Sequence, residues 1–249
     1  MGVPDEKIFP HATAAAAETV AKHQEPQELF CPFVQRSWIA LEEKGIPYQY
    51  KEVNPYKKEA HFLAINPKGL VPAVEYKGKA LYESLILNEF FEEAYPGYKP
   101  LLPKNPEDRA IARIWLDHQS KTFIPAFHRL LSAQEPQAQD AARQELYESL
   151  RKYMKQVQGP YFFGEEFTLV DVAIAPWTVR DYVLAENRGY KRGDVGEGWK
   201  EYAERLASRD TVKRTESLRE HLDVIYGRYL RDEAQSEAAK AIRAGRVIP

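Results

Sequence analysis

The single cysteine of this 249-residue chain, Cys31, stands directly before Pro32 and a segment of amphipathic helical sequence. Proline is favoured at the first position of a helix, where its missing N–H loses no hydrogen bond, so Cys31 is predicted to be the N-cap. The free N–H groups of Phe33 and Val34 and the helix dipole would then favour a thiolate. A lone cysteine is also often an inert buried residue, and the pattern leaves both interpretations open.

Composition and charge exclude several classes of partner. The 35 Lys and Arg residues are balanced by 37 Asp and Glu, and the net charge of -2 offers no basic field for nucleic acid or anionic lipid. No apolar run approaches the length of about 20 residues that spans a bilayer, and the first residues do not read as a signal peptide. The six histidines lack metal-ligand spacing. We expect a cytoplasmic protein that binds no nucleic acid, membrane or metal.

The first part of the chain alternates between strand and helix patterns. After a first strand, the predicted order is helix 32–44, strand 48–53, helix 55–65, strands 71–76 and 79–82, and helix 84–95. This βαβαββα order predicts an α/β thioredoxin-like domain over residues 19–95. The position of the first strand stays open, because only Leu29 and Phe30 fit directly before Cys31, and residues 19–23 are the alternative.

The rest of the chain divides into three further parts. Residues 1–18 are polar and alanine-rich and are predicted to form a mobile N-terminal arm. Residues 96–105 carry three prolines and are predicted to be a linker. Beyond them, residues 106–249 read as an all-helical domain, with a capping box at Thr168 and Asp171, a helix at about 199–208, and another from Thr211 onward.

Four short motifs, taken in order, resemble those of the cytosolic glutathione transferases. They are Cys31-Pro32-Phe33, Asn66-Pro67-Lys68-Gly69-Leu70-Val71-Pro72, Tyr82-Glu83-Ser84, and Thr168 to Asp171 with Pro176-Trp177. The Cys-Pro-Phe run is similar to that of the omega class. The resemblance implies the glutathione transferase fold, glutathione as co-substrate, and a homodimer.

The resemblance also implies a role for individual residues. The backbone of Val71, before a cis peptide bond to Pro72, would pair with the cysteinyl unit of glutathione. Glu83 would take the γ-glutamyl ammonium, and Ser84 with the helix amides beside it the carboxylate. A lysine would bind the glycyl carboxylate, with Lys58 preferred and Lys57 as the alternative. The glutathione-binding set is therefore Phe33, Lys58, Val71, Pro72, Glu83 and Ser84.

A thiolate at this position attacks sulfur, so the first functional hypothesis is thiol transfer through a mixed disulfide between Cys31 and glutathione. The reactions implied are deglutathionylation and, as a related activity, dehydroascorbate reduction. The second hypothesis is a carrier of aromatic small molecules with little turnover, and the third is an interaction module such as those of elongation factor gamma subunits or chloride intracellular channel proteins. For a small aromatic or disulfide-type second substrate, the predicted cleft residues are Trp115, Phe123, Phe127, Tyr226 and Tyr229.

Overall fold

The computed structural model describes residues 31–51, 53 and 58–246. They form two compact units: one holds the described residues up to Leu101 together with Arg209–His221, and the other holds Leu102–Ser208 and the chain from Leu222 onward. The predicted arm at 1–18 and both positions considered for the first strand lie outside the described residues. Within the described ranges, every helix is too short or too polar to cross a membrane.

Helices make up most of the described chain. In the first unit the elements before Leu101 are α1 (Pro32–Lys44), α2 (Ala60–Ile65), β1 (Ala73–Tyr76), β2 (Lys79–Tyr82) and α3 (Ser84–Ala94). The later helices are α4 (Pro106–His118), α5 (Ile124–Ser132), α6 (Pro136–Met154), α7 (Leu169–Thr178), α8 (Tyr182–Arg188), α9 (Arg192–Val195), α10 (Glu197–Ser208), α11 (Asp210–Lys213), α12 (Arg219–Leu230) and α13 (Glu237–Arg243). A five-residue π-helix, Gln119–Phe123, joins α4 to α5.

Helix α1 has the bounds that the sequence predicts. Cys31 is its N-cap, and Gly45 ends it in the left-handed conformation at φ 72°. Trp38 is buried on α1 and stacks on Tyr50 with ring centroids 4.7 Å apart. This stacking holds the chain that leaves α1 against the helix.

The predicted strand at 48–53 is wrong for the described part of that segment. Tyr48, Gln49, Tyr50, Lys51 and Val53 have no regular secondary structure. Burial still alternates there, since Tyr50 is buried whereas Gln49 and Lys51 are exposed. The pattern thus reports which side chains face the core, but a strand also needs a hydrogen-bonded neighbour, and no described strand pairs with this segment.

The two predicted hairpin strands are present, although β1 begins at Ala73 and not at Val71. β1 and β2 pair antiparallel, with Ala73 opposite Tyr82 and Tyr76 opposite Lys79. The turn between them has positive φ at Lys77 and Gly78. The hairpin therefore places the residues that precede β1 and those that follow β2 at the same end of the ladder.

A segment late in the chain belongs to the first unit, although the sequence pattern assigned it to the helical domain 106–249. Glu43, on α1, accepts hydrogen bonds from Arg209 and Thr211, and Gln35 donates one to the Val212 carbonyl. The helix predicted from Thr211 onward is also interrupted, because α11 ends at Lys213 and α12 begins six residues later. These contacts join positions 166 to 177 residues apart, for which no local pattern exists.

The second unit is built around α7, all of whose residues are buried. The capping box that the sequence predicts is present: Asp171 accepts from the Thr168 N–H and hydroxyl at 2.8 Å each. The same carboxylate accepts from the Phe162 N–H at 2.8 Å and the Tyr202 hydroxyl at 2.6 Å. Burial raises the pKa of Asp171, and these four donors act against that rise.

Replacing Glu43 by glutamine tests how strongly the late segment holds α1. Burial alone would raise the pKa of Glu43, but hydrogen bonds from Arg209, Lys99 and Thr211 lower it to about 2. Its contribution to stability is therefore present above the unfolded-state pKa of 4.5 and lost as the pH falls toward 2. We expect Glu43→Gln to lower the free energy of unfolding by about 3 kcal/mol at pH 7 and by about 1 kcal/mol at pH 3, measured by urea denaturation.

Glu59→Gln is the matched control, because Glu59 pairs with Lys51 at 3.6 Å and both side chains are more than half exposed. We expect it to change stability by about 0.5 kcal/mol or less. If the free energies of unfolding of Glu43→Gln and of the unmodified chain differ by the same amount at pH 7 and at pH 3, the ionisation of Glu43 does not contribute to stability as expected.

Candidate functional site

Cys31 lies at the start of α1, is half-buried and forms no disulfide. Its backbone is extended, at φ -80° and ψ 119°, and its carbonyl accepts the first helical hydrogen bond from the Gln35 N–H at 3.1 Å. One expectation is corrected: the sulfur accepts no capping hydrogen bond from the first-turn amides. The positive end of the helix dipole still favours a thiolate at this position.

A buried cation, Arg36, provides a second source of positive potential near Cys31. Its side chain is 1% exposed, and the guanidinium carbon lies 5.4 Å from the centroid of the Phe33 ring. Burial lowers the pKa of Arg36 to about 9, and its electrostatic interaction with Cys31 acts in the opposite direction. Because that interaction is mutual, the guanidinium favours a negatively charged sulfur. Arg36 is not among the residues predicted from the sequence, although a cation five residues after a helix-capping cysteine is a usable signal.

The end of the hairpin brings two of the predicted motifs together. The Val71–Pro72 peptide bond is cis, as the sequence predicts. The ladder of β1 and β2 begins with Ala73 opposite Tyr82, so Pro72 and Glu83 leave it at the same end. Among the described residues, none forms a hydrogen bond with the Val71 N–H or C=O. This short stretch of backbone can therefore pair with an extended peptide.

Glu83 and Ser84 begin α3 at that end of the hairpin. Glu83 is the N-cap, is exposed, and has a positive φ of 76°, whereas Ser84 is the first helical residue and is buried. The Ser84 carbonyl accepts a hydrogen bond from the Ser37 hydroxyl of α1 at 3.4 Å. The N–H groups of the first turn of a helix have no intrahelical acceptor, so α3 presents anion-binding donors beside an exposed carboxylate.

Lys58 is half-buried and lies against Gly69. Gly69 is itself buried, with φ +64°, and a Cβ placed on it would stand 2.9 Å from the Lys58 Nζ. Gly69 thus leaves the room that the Lys58 side chain occupies. The alternative lysine, Lys57, lies outside the described residues.

The five aromatic residues predicted for a second-substrate cleft lie in the second unit, mostly inside it. Trp115, Phe123, Phe127 and Tyr226 are buried and Tyr229 is half-buried. Phe123 meets Phe127 at 6.3 Å between ring centroids and Tyr226 meets Tyr229 at 6.0 Å, and the His128 ring lies between these pairs, 5.9 Å from Phe127 and 5.7 Å from Tyr229. Within this unit they fill the interior. Across the described ranges, no three His, Cys, Asp or Glu side chains are grouped so as to hold a metal ion.

Two family models match the chain. The glutathione S-transferase N-terminal domain matches residues 30–94, and the glutathione S-transferase C-terminal domain matches residues 136–205. Cys31 and all six residues predicted to bind glutathione lie within the first match. The five predicted cleft residues lie outside both matches.

Individual relatives agree with these family models. Glutathione S-transferase omega-1 of Sus scrofa is 34% identical over 162 residues, which are 64% of this chain and 66% of that protein, so the chain spans just under two thirds of this relative's length. Glutathione S-transferase DHAR2 of Arabidopsis thaliana is 33% identical over 194 residues, 76% of this chain and 85% of that protein.

Solved structures resemble the chain over more of its length. Glutathione transferase Omega 3C from Trametes versicolor is 61% identical, with a TM-score of 0.84, and the match covers 91% of this chain and 100% of that one. Rice GST1, solved in complex with glutathione, is 29% identical, with a TM-score of 0.73 and coverage of 81% and 94%.

Gly69→Ala tests the placement of Lys58. The new Cβ would displace the lysine and would hold a non-glycine residue at positive φ, which costs about 1 to 2 kcal/mol. We expect glutathione affinity to fall about three- to ten-fold, measured by calorimetric titration, because a displaced ammonium no longer meets a ligand carboxylate.

Gly78→Ala separates the two effects, since Gly78 has φ +74° and a Cβ there would contact nothing within 4 Å. It should lose similar stability and keep its affinity for glutathione. Equal affinities for the two variants would argue against a ligand-binding role for Lys58.

Proposed function

Because the chain belongs to the omega class of the glutathione transferase family, we propose that it is a glutathione-dependent thiol transferase acting through Cys31. Its N-terminal domain is thioredoxin-like and its C-terminal domain is helical. One observation carries the proposal: the only cysteine of the chain is half-buried, in no disulfide, and caps a helix N-terminus one and a half turns before a buried arginine.

The proposed reaction has two thiol–disulfide exchanges. In the first, the Cys31 thiolate attacks the glutathione sulfur of a mixed disulfide; the new S–S bond forms as the old one breaks, and the substrate leaves as a thiolate that takes a proton from solvent. In the second, the thiolate of free glutathione attacks the glutathione sulfur on Cys31. Oxidised glutathione leaves and the Cys31 thiolate is restored. With one cysteine in the chain, the second thiol must come from solution.

Glutathione would bind along the edge formed by the hairpin end and α3. We propose that the Val71 backbone, next to Pro72, pairs with the cysteinyl unit, and that Glu83 and the α3 amides at Ser84 bind the γ-glutamyl group. Lys58 would bind the glycyl carboxylate, and Phe33 would flank the tripeptide. The rice relative solved with glutathione supports a tripeptide site on this fold.

Membership of the family supports a related reaction, a location and an oligomeric state. Dehydroascorbate reduction by two equivalents of glutathione is the related reaction we propose for the same sulfur. We also propose that the protein acts in the cytoplasm, where thiols are kept reduced, and as a homodimer. The carrier of aromatic molecules has less support, because most of the aromatic residues invoked for it are core residues of the second unit.

Cys31→Ser tests the nucleophile. After incubation with glutathione disulfide, mass spectrometry should find one glutathionyl group on the unmodified chain, removable by free glutathione, and none on the variant. The rate of thiol transfer should fall by about a hundred-fold or more, because a serine hydroxyl does not attack sulfur at neutral pH. A variant that transfers glutathione at a near-unmodified rate would refute the mechanism.

Arg36→Met tests the source of thiolate stabilisation, because it keeps the apolar stem and removes the cation. The pH at which iodoacetamide alkylates Cys31 at half its maximal rate should rise by about one unit. Arg36→Lys keeps the charge and should move that midpoint by less. If Arg36→Met folds, as judged by circular dichroism, and keeps the original midpoint, the coupling between Arg36 and Cys31 does not govern reactivity.

A further inference from the structure

Lys68 forms an ion pair with Glu83, the carboxylate that the proposed function assigns to the ammonium of a ligand. Its Nζ lies 2.9 Å from the Glu83 Oε1, and it also stands 5.4 Å from the centroid of the Tyr82 ring. The two charged side chains are about half exposed, at 55% and 45%. The lysine thus bridges from the turn before β1 to the start of α3.

Glu83 has an unusual backbone conformation at the start of α3. A positive φ is unfavourable for a non-glycine residue and persists where the surroundings impose it, commonly at ligand sites. At φ 76° and ψ 113°, the Glu83 backbone connects β2 to α3. Its carboxylate is exposed at the N-terminus of α3, beside first-turn amides that suit a ligand carboxylate. A carboxylate beside such N–H donors is complementary to an α-amino acid, whose ammonium can pair with the carboxylate and whose own carboxylate can accept hydrogen bonds from the amides.

We propose that Lys68 competes with the ligand for Glu83. The Lys68 ammonium must leave the Glu83 carboxylate before the α-ammonium of a γ-glutamyl ligand can bind there. This inference rests on the proposed function, since it assigns Glu83 to that ammonium. Both competitors are primary ammonium groups, so the lysine imitates the charge and the hydrogen-bond donors of the group it excludes. An exposed ion pair is weak, so Lys68 lowers the affinity without closing the site.

The competitor also affects ligand selection. A ligand with an α-ammonium must displace Lys68 to reach Glu83, whereas a ligand without that ammonium leaves the Lys68–Glu83 ion pair in place. Lys68 should therefore reduce affinity only for ligands that carry the ammonium. A residue that simply attracts anionic ligands would do the reverse, and its removal would weaken binding.

The test measures binding of S-methylglutathione, which has no free thiol and cannot form a disulfide with Cys31. Calorimetric titration of the full chain would compare the unmodified protein with Lys68→Met and Lys68→Arg. We expect Lys68→Met to bind about two- to five-fold more tightly, because the competing pair is gone. Lys68→Arg should bind more weakly than the unmodified chain, because guanidinium holds a carboxylate through two hydrogen bonds.

Two controls make the result specific. Lys77→Met removes another exposed lysine that lies over a tyrosine ring, 5.0 Å from the Tyr76 centroid, and should leave affinity unchanged. The S-methyl analogue that lacks the γ-glutamyl amino group should bind the unmodified chain and Lys68→Met equally.

The outcomes separate this inference from the function on which it rests. If Lys68→Met binds S-methylglutathione with unchanged or lower affinity, or tightens both ligands equally, the inference is overturned while the glutathione site stands. If the unmodified chain does not bind S-methylglutathione at all, the proposed function fails, and the competition fails with it.

Discussion

The buried carboxylate of Glu43 fixes the helix on which the proposed chemistry depends. A charge taken out of water is tolerated only when several donors surround it, and Glu43 has donors from Arg209, Thr211 and Lys99. These donors come from two segments far from α1 in sequence. Moving α1 would separate the charge from them, so the polar cluster restrains the helix more specifically than the burial of apolar surface, which is non-directional.

Helix α1 is held by hydrogen bonds in both of its halves. Its C-terminal half is tied down by Glu43 and by Lys44, whose ammonium donates to Glu92 at 2.7 Å and to the Lys99 carbonyl at 2.9 Å. Its N-terminal half carries Cys31, with Arg36 at the junction. Gln35, in the same half, donates to the Val212 carbonyl and to the Thr215 hydroxyl at 3.3 Å each, so the helix axis and its dipole are held in one direction.

Local motifs account for most of what the sequence predicted correctly. The N-cap at Cys31, the hairpin, the cis bond before Pro72 and the capping box at Thr168 depend on neighbours within a few residues. The features that were missed depend on distant partners: Arg36 is buried by the tertiary fold, and Gln35 meets Thr215, 180 residues away. The alternating pattern at 48–53 predicted correctly which side chains are buried, but it predicted a strand that the described residues do not form. Aromatic spacing in the helical domain could not distinguish a cleft from a core, because both place rings on one helix face.

Two positions near the proposed tripeptide site have positive φ, and one carries glycine, Gly69, whereas the other carries a charged residue, Glu83. The charged groups near each position account for this difference. At Gly69 a side chain would collide with Lys58, so only the absence of a Cβ keeps that ammonium in place. At Glu83 glycine would relieve the backbone, but it would also remove the carboxylate from the start of α3. The φ and ψ of Glu83 lie outside the regions that non-glycine residues favour, and such conformations cluster at ligand sites. The backbone conformation at Glu83 therefore agrees with the proposal that its carboxylate binds a ligand.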